Sequence, residues 1–196
     1  MDHYASYILS YGYFAIFLFL YLGITGIPSP EESFMIFVGL TISQGSLNLY
    51  HSIFLAFLGV TLGMVSAYTI GYVVGKPLFH RFGKFIGLPP HRFKKATEKF
   101  EKNANWAIIM GFFIPGIRQI NPYMAGISRI PFFMFLLTSA IGAFIWTVTV
   151  ILIGTFLGNR VRQFVHFTPF HLALVGVVFL ILFVLVGVIR FLKREK

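Results

Sequence analysis

The chain has 196 residues, 57% of them hydrophobic and 11% charged, against roughly 25% charged in an ordinary soluble domain. This excludes a disordered protein and points to lipid as the natural solvent. The absence of cysteine excludes disulfides, Cys-ligated zinc and thiol catalysis. The net charge of +10 is unevenly placed: eight of the sixteen Lys and Arg lie between Lys76 and Lys102, four between Arg190 and Lys196, and none before Lys76. That is the loop asymmetry of a membrane protein with a basic cytoplasmic face, not a nucleic-acid groove.

In chain order, the first apolar run is 11–27. It lacks a basic leading region and a small-residue cleavage site, so it reads as a span and not as a signal peptide. Further spans are expected at 52–75, closed by Lys76-Pro77, at 131–157 and at 171–192, since about 20 apolar helical residues cross the hydrocarbon core. Two other apolar stretches are interrupted. Pro28 to Ser43 reads PSPEESFMIFVGLTIS, and Trp106 to Ile130 reads WAIIMGFFIPGIRQINPYMAGISRI. Their prolines (Pro28, Pro30, Pro115, Pro122) remove backbone donors, and each stretch returns through a glycine, Gly39 or Gly126. Broken backbone at membrane depth survives only where protein or a wet cavity covers it. The expectation is therefore two re-entrant hairpins, at 28–50 and 106–130.

Placing the basic 76–102 stretch in the cytoplasm makes the two hairpins enter from opposite faces and puts both termini in the cytoplasm; six full spans would also put both basic segments on one face, so charge leaves that alternative open. The basic amphipathic segment 76–105 is then cytoplasmic, and its part 89–105 either lies on the inner leaflet or serves only to set the topology. The fold class expected is all-α: one polytopic membrane domain over residues 1–196, with a first half at 11–75, a second at 106–158 and a C-terminal span at 171–192. The halves resemble each other. Pro28 and Gly39 have the spacing of Pro115 and Gly126 at an offset of 87, which also places Glu31 on Arg118. Gly59, Gly71 and Gly75 have the spacing of Gly142, Gly154 and Gly158 at an offset of 83. With the halves oppositely oriented, this is an inverted repeat, the architecture of secondary transporters.

Only six residues are acidic, and Glu31 and Glu32 lie inside a stretch otherwise fit for a bilayer. Ionisable groups there are expensive and are paired or line a wet pathway. Glu31, Glu32 and Arg118 are the candidate substrate- or proton-handling residues: Arg binds phosphate through its planar fork, and a poorly hydrated carboxylate can carry a proton. A structural ion pair is the competing reading. Gln119 and Asn121 are secondary candidates, read first as caps for freed backbone groups. Arg129 is read first as a topological anchor. The six histidines show no metal-ligand spacing, so no metal or cofactor is expected and no enzymatic activity.

FIPGIRQINPYMAGISRIPFFMF resembles the signature of the DedA (VTT-domain) family, and GIPSPEESFMIFVGL resembles its acidic first hairpin. GYVVG followed by HRFKKATEKFEKNANW also fits, and the likeness covers roughly residues 20 to 160. The resemblance implies a bacterial cytoplasmic-membrane protein with opposed re-entrant helices that moves lipids: undecaprenyl phosphate, phosphatidylethanolamine or, in eukaryotic relatives, phospholipids by scrambling. Proton coupling is proposed for some members. Glu32 matches the family's hairpin acid and Arg118 the second arginine of its signature. The chain departs from the pattern at Phe112, where many relatives carry another arginine, at Leu20 to Gly23, which holds no carboxylate, and at Gly63-Met64, where Gly-Asp is common. One arginine with two glutamates suits a zwitterionic head group better than a phosphate monoester of up to two charges. The leading expectation is a flippase or scramblase for phosphatidylethanolamine. Undecaprenyl phosphate transport, proton or ion antiport, and a non-transporting scaffold are the alternatives.

Overall fold

The computed structural model describes residues 2–26, 29–82, 100 and 102–161, with side chains over 12–26, 29–74, 100 and 102–160. The expected span at 171–192, most of the basic amphipathic segment and Pro28 lie outside the described residues. Among the described residues the chain is all-helical: α1 (Asp2–Ile24), α2 (Glu31–Ser43), α3 (Leu49–Phe82), α4 (Ala104–Gly111), α5 (Ile117–Ile127) and α6 (Phe132–Val161). Within these, Leu49–Val74 and Phe132–Arg160 are long and apolar enough to cross a membrane. Their outer faces carry Leu62, Ile70, Val73, Leu137, Phe144, Ile153 and Phe156, all exposed, an apolar girdle larger than a water-facing monomer carries.

The short helices have local causes. Pro30 precedes α2, and two carboxylates fill its first turn, where the helix dipole favours negative charge. Asn48 starts α3: its side-chain oxygen accepts from the N–H groups of Tyr50 and His51 at 2.9 and 3.3 Å, an N-cap. Between α4 and α5 the chain turns on three successive i to i−3 bonds, Phe112 to Ile109, Phe113 to Met110 and Ile114 to Gly111. Gly116, at φ 83°, completes the turn in a conformation that a side chain resists.

α1 and α2 lie antiparallel. Phe19 stacks on Phe34 with centroids 4.1 Å apart, and the Asn48 N–H donates to the Tyr13 hydroxyl at 2.8 Å. Tyr13, midway along α1, therefore sits level with the α2–α3 turn. The sequence suggested a span at 11–27 followed by a hairpin at 28–50; the structure lays α2 back along the second half of α1, with Phe34 on Phe19 and the α2–α3 turn beside Tyr13. Some boundaries move. α3 continues past Lys76-Pro77 to Phe82. Pro122 does not break its segment but lies inside α5, where it withholds only the bond to the carbonyl of Arg118, four residues back. Gly39 and Gly126 are not return points: both lie within helices.

These glycines do something else. A Cβ on Gly39 would fall on the backbone of Ile151, Gly154 and Thr155 in α6, and one on Gly154 would fall on Ile36. A Cβ on Gly126 would fall on the backbone of Tyr68, Gly71 and Tyr72 in α3, and one on Gly71 would fall on Tyr123. At the offsets of 87 and 83, each contact of one pair maps onto a contact of the other. α2 thus packs on α6 as α5 packs on α3, both at the backbone-to-backbone approach that small residues permit in membrane helices. α1 and α4 play matching parts, against α3 and α6. The core between them holds Leu20, Ile24, Met35, Val60, Met64, Ile108, Phe112 and Phe135, all buried.

Gly154→Val is therefore expected to lower stability by about 1–3 kcal/mol, the usual cost of overpacking. Ile153→Val, on the exposed neighbouring position, should stay within about 0.5 kcal/mol of the parent. Thermal unfolding in detergent followed by circular dichroism compares them; equal midpoints would refute the close approach.

Candidate functional site

The N-termini of α2 and α5 meet across the centre of the bundle, and the ionisable residues sit in their first turns. Arg118 Nη2 lies 2.8 Å from Glu31 Oε2, and Nη1 lies 2.9 Å from Glu32 Oε1. One guanidinium bridges two carboxylates of adjacent residues, leaving the cluster with one formal negative charge. That charge faces two helix N-termini, whose partial positive charges favour it.

The two acids differ in access. Glu31 and Arg118 are buried, while the Glu32 side chain is 39% exposed. Glu31 is held from several sides: Gln119 donates to its Oε1 at 3.3 Å, and the Ser29 hydroxyl does so at 3.3 Å. Gly23 of α1 makes room, since a Cβ there would strike the Glu31 carboxylate and the Ser29 hydroxyl. Arg118 is fixed as firmly. Its guanidinium carbon stands 4.0 Å from the centroid of the Trp146 ring, and Nη1 also reaches the Phe112 carbonyl at 3.4 Å. Phe112 packs beside Trp146 with centroids 6.3 Å apart. A desolvated cation–π contact of this kind is worth about 2 kcal/mol. Arg118 Nε is buried without a hydrogen-bond partner.

Of the candidates named from sequence, Glu31, Glu32, Arg118 and Gln119 come together. Asn121 does not: its amide donates to the Ala107 carbonyl at 2.7 Å, tying α5 to α4. Arg129 also stands apart, with its guanidinium carbon 5.3 Å from the Tyr72 ring centroid. Pro30 and Pro115 flank the helix starts that present the charges. Among the described residues, no group of three or more His, Asp or Glu is placed to hold a metal. Sequence reasoning missed Trp146, Ser29, Gly23 and the Phe112 carbonyl. Trp146 left one signal: it stands in the middle of an apolar span, whereas membrane tryptophans favour the interfaces.

The VTT domain matches residues 27–156, and the chain belongs to that family. It is 40% identical to the membrane protein YbfM of Bacillus subtilis over 77% of this chain and 93% of the relative. It is 32% identical to a membrane protein, slr0232, of Synechocystis over 77% of this chain and 69% of the relative. It is 28% identical to undecaprenyl phosphate transporter A of Staphylococcus aureus over 97% of this chain and 96% of the relative. No solved structure matches the chain.

Removing Arg118 alone strands Glu31 as an uncompensated buried charge, at a cost of about 3–5 kcal/mol. Arg118→Met is expected to be destabilised by that order, and Glu31→Gln with Arg118→Met to recover at least half of it. Unfolding midpoints of the two variants in detergent check this; a double variant no more stable than the single one would show that the charges are not coupled.

Proposed function

We propose that this VTT-domain protein carries a phosphate-bearing lipid across the bacterial cytoplasmic membrane, with the head group passing through the Arg118 cluster. The observation that carries the reading is the unequal pair of acids on one arginine: Glu31 is fully buried and Glu32 partly open. A phosphate oxygen can replace the Glu32 carboxylate at Nη1 while Glu31 keeps Nη2, because both anions satisfy the same fork. The two helix N-termini add backbone donors for a phosphate. Displaced Glu32 is free to take up a proton, which would couple lipid movement to a proton gradient. Acyl chains remain in the bilayer along the exposed apolar faces of α3 and α6.

In this reading α1–α2 and α4–α5 are re-entrant hairpins entering from opposite faces. The matched glycine contacts support an inverted repeat, and such repeats carry their substrate sites where discontinuous helices meet. The basic 76–102 stretch is cytoplasmic, and Lys102 with it. The α2–α3 turn, and the α1 residues beside it, then face the other side, so the N-terminus need not share the cytoplasm with the C-terminal tail. Because the chain has no cysteine, single cysteines at Gln44 and Lys102 report this directly. An impermeant maleimide added outside cells should label Gln44→Cys and spare Lys102→Cys; the reverse pattern would overturn the orientation.

Two lipids fit. The charge count favours phosphatidylethanolamine, whose ammonium can meet the surplus carboxylate while its phosphodiester meets Arg118. The name of the Staphylococcus aureus relative, undecaprenyl phosphate transporter A, favours the other, with the helix N-termini supplying the missing positive potential. The function is transport and not catalysis. Ser29, the hydroxyl nearest the cluster, donates to Glu31 and has no imidazole beside it among the described residues to activate it.

Proteoliposomes containing labelled phosphatidylethanolamine or undecaprenyl phosphate, with and without a proton gradient, test the reading. The wild-type chain should move one of the lipids. Glu32→Gln and Arg118→Lys, both checked for folding, should each slow it by roughly tenfold or more, the equivalent of about 1.4 kcal/mol. Folded protein that dissipates the proton gradient but moves neither lipid would make it an ion antiporter, and one that does neither would make it a scaffold.

A further inference from the structure

The two short helices end in the same way. After α2, the N–H of Gly45 donates to Ile42 and that of Ser46 to Thr41, at 2.9 and 3.3 Å. After α5, the N–H of Arg129 donates to Gly126 and that of Ile130 to Ala125, both at 3.1 Å. This paired closure requires the residue after the cap to be left-handed, and glycine is its usual occupant because a Cβ is strained there. Gly45 obeys, at φ 78°. At the same capping position after α5 stands Arg129, at φ 55°, the one non-glycine residue with positive φ among those described. An arginine at a helix end where α2 uses glycine calls for a reason outside the backbone.

The surroundings supply one. Arg129 is exposed, and no carboxylate pairs with it among the described residues. With Tyr68, Tyr72, Ile130, Pro131 and Phe132 it lines a cleft of about 320 Å³, at the small end of the range for ligand sites. The wall is fixed. The Tyr68 hydroxyl donates to the Ile130 carbonyl at 2.6 Å, and Tyr68 stacks on Phe135 with centroids 4.6 Å apart. The half-exposed Tyr72 ring backs the guanidinium. At the offset of 83, Tyr68 and Tyr72 of the first half correspond to Ile151 and Thr155 of the second, so α3 carries an aromatic wall that α6 lacks. The cleft, formed between the end of α5 and α3, opens one helical turn before Lys76, where the basic 76–102 stretch begins.

We propose that Arg129, backed by Tyr72, docks the phosphodiester head group of a phospholipid in the leaflet beside the 76–102 segment. The guanidinium fork matches two phosphate oxygens, and tyrosines suit the membrane interface, where one end of the ring is apolar and the other wet. The site is separate from the Arg118 cluster, whose cation is already engaged, and it does not depend on lipid being transported.

The test has the advantage that the informative variant relieves strain. Dihexanoyl phosphatidylglycerol, dioctanoylglycerol and inorganic phosphate are titrated separately onto the purified full chain in detergent. The wild type is expected to bind the phospholipid at least about tenfold more tightly than the phosphate-free diacylglycerol. Arg129→Gly should lose about tenfold of that affinity while its unfolding midpoint stays level or rises, and Tyr72→Leu should fall between. Unchanged phospholipid affinity in Arg129→Gly would overturn the proposal. So would a midpoint well below that of the parent, which would make Arg129 a structural cap. Inorganic phosphate bound as tightly as the lipid would assign the cleft to a soluble anion and overturn the lipid assignment.

Discussion

A guanidinium inside an apolar helix bundle must have its charge met, and much of this structure is arranged to meet that of Arg118. Two carboxylates reach it from the start of α2, an indole covers its face, and a backbone carbonyl freed at the α4–α5 turn takes a further donor. None of these partners is adjacent to Arg118 in sequence. Each requires a different helix to be in register, so the cluster and the bundle hold one another in place. A buried ion pair adds little net stability beyond what apolar packing would give. Its retention here, with Glu32 left partly open, fits a site whose partners exchange better than it fits a permanent bolt.

The second constraint is backbone proximity. α2 meets α6, and α5 meets α3, at glycines that leave no room for a Cβ. Lipid supplies no hydrophobic drive to bring helices together, so close van der Waals approach has to. The equivalence of the two contact sets, atom for atom, also explains why the charges meet where they do. Glu31 and Arg118 occupy matching places at the starts of matching helices. Opposite charges come face to face where these two helix starts meet; two identical residues there would repel.

The halves are not equivalent at their outer ends. One closes with Gly45 and the other with Arg129, which stands against Tyr68 and Tyr72 of α3; the corresponding residues of α6 are Ile151 and Thr155. The cleft at Arg129 is therefore a chemical difference between the two helix ends.

Residue order was enough for much of this. The apolar content, the scarcity of charge and the clustering of Lys and Arg mark a membrane protein, because an unpaired charge is too costly in hydrocarbon to occur by accident. For the same reason Glu31, Glu32 and Arg118 stood out; Gln119 and Asn121 both read first as caps for freed backbone groups, and only Gln119 joins the cluster. The glycine and proline spacings exposed a likeness between halves, although not its use: Gly39 and Gly126 looked like turns and are contact points, and Pro122 looked like a break and is carried within α5. Periodicity could not show these things, because in a uniformly apolar helix no face is marked as inward. The packing of α2 back along α1, the cover of Trp146 over Arg118 and the cleft at Arg129 rest on contacts between residues far apart in the chain. Only the folded backbone, through the register of one helix against another, decides which of them touch.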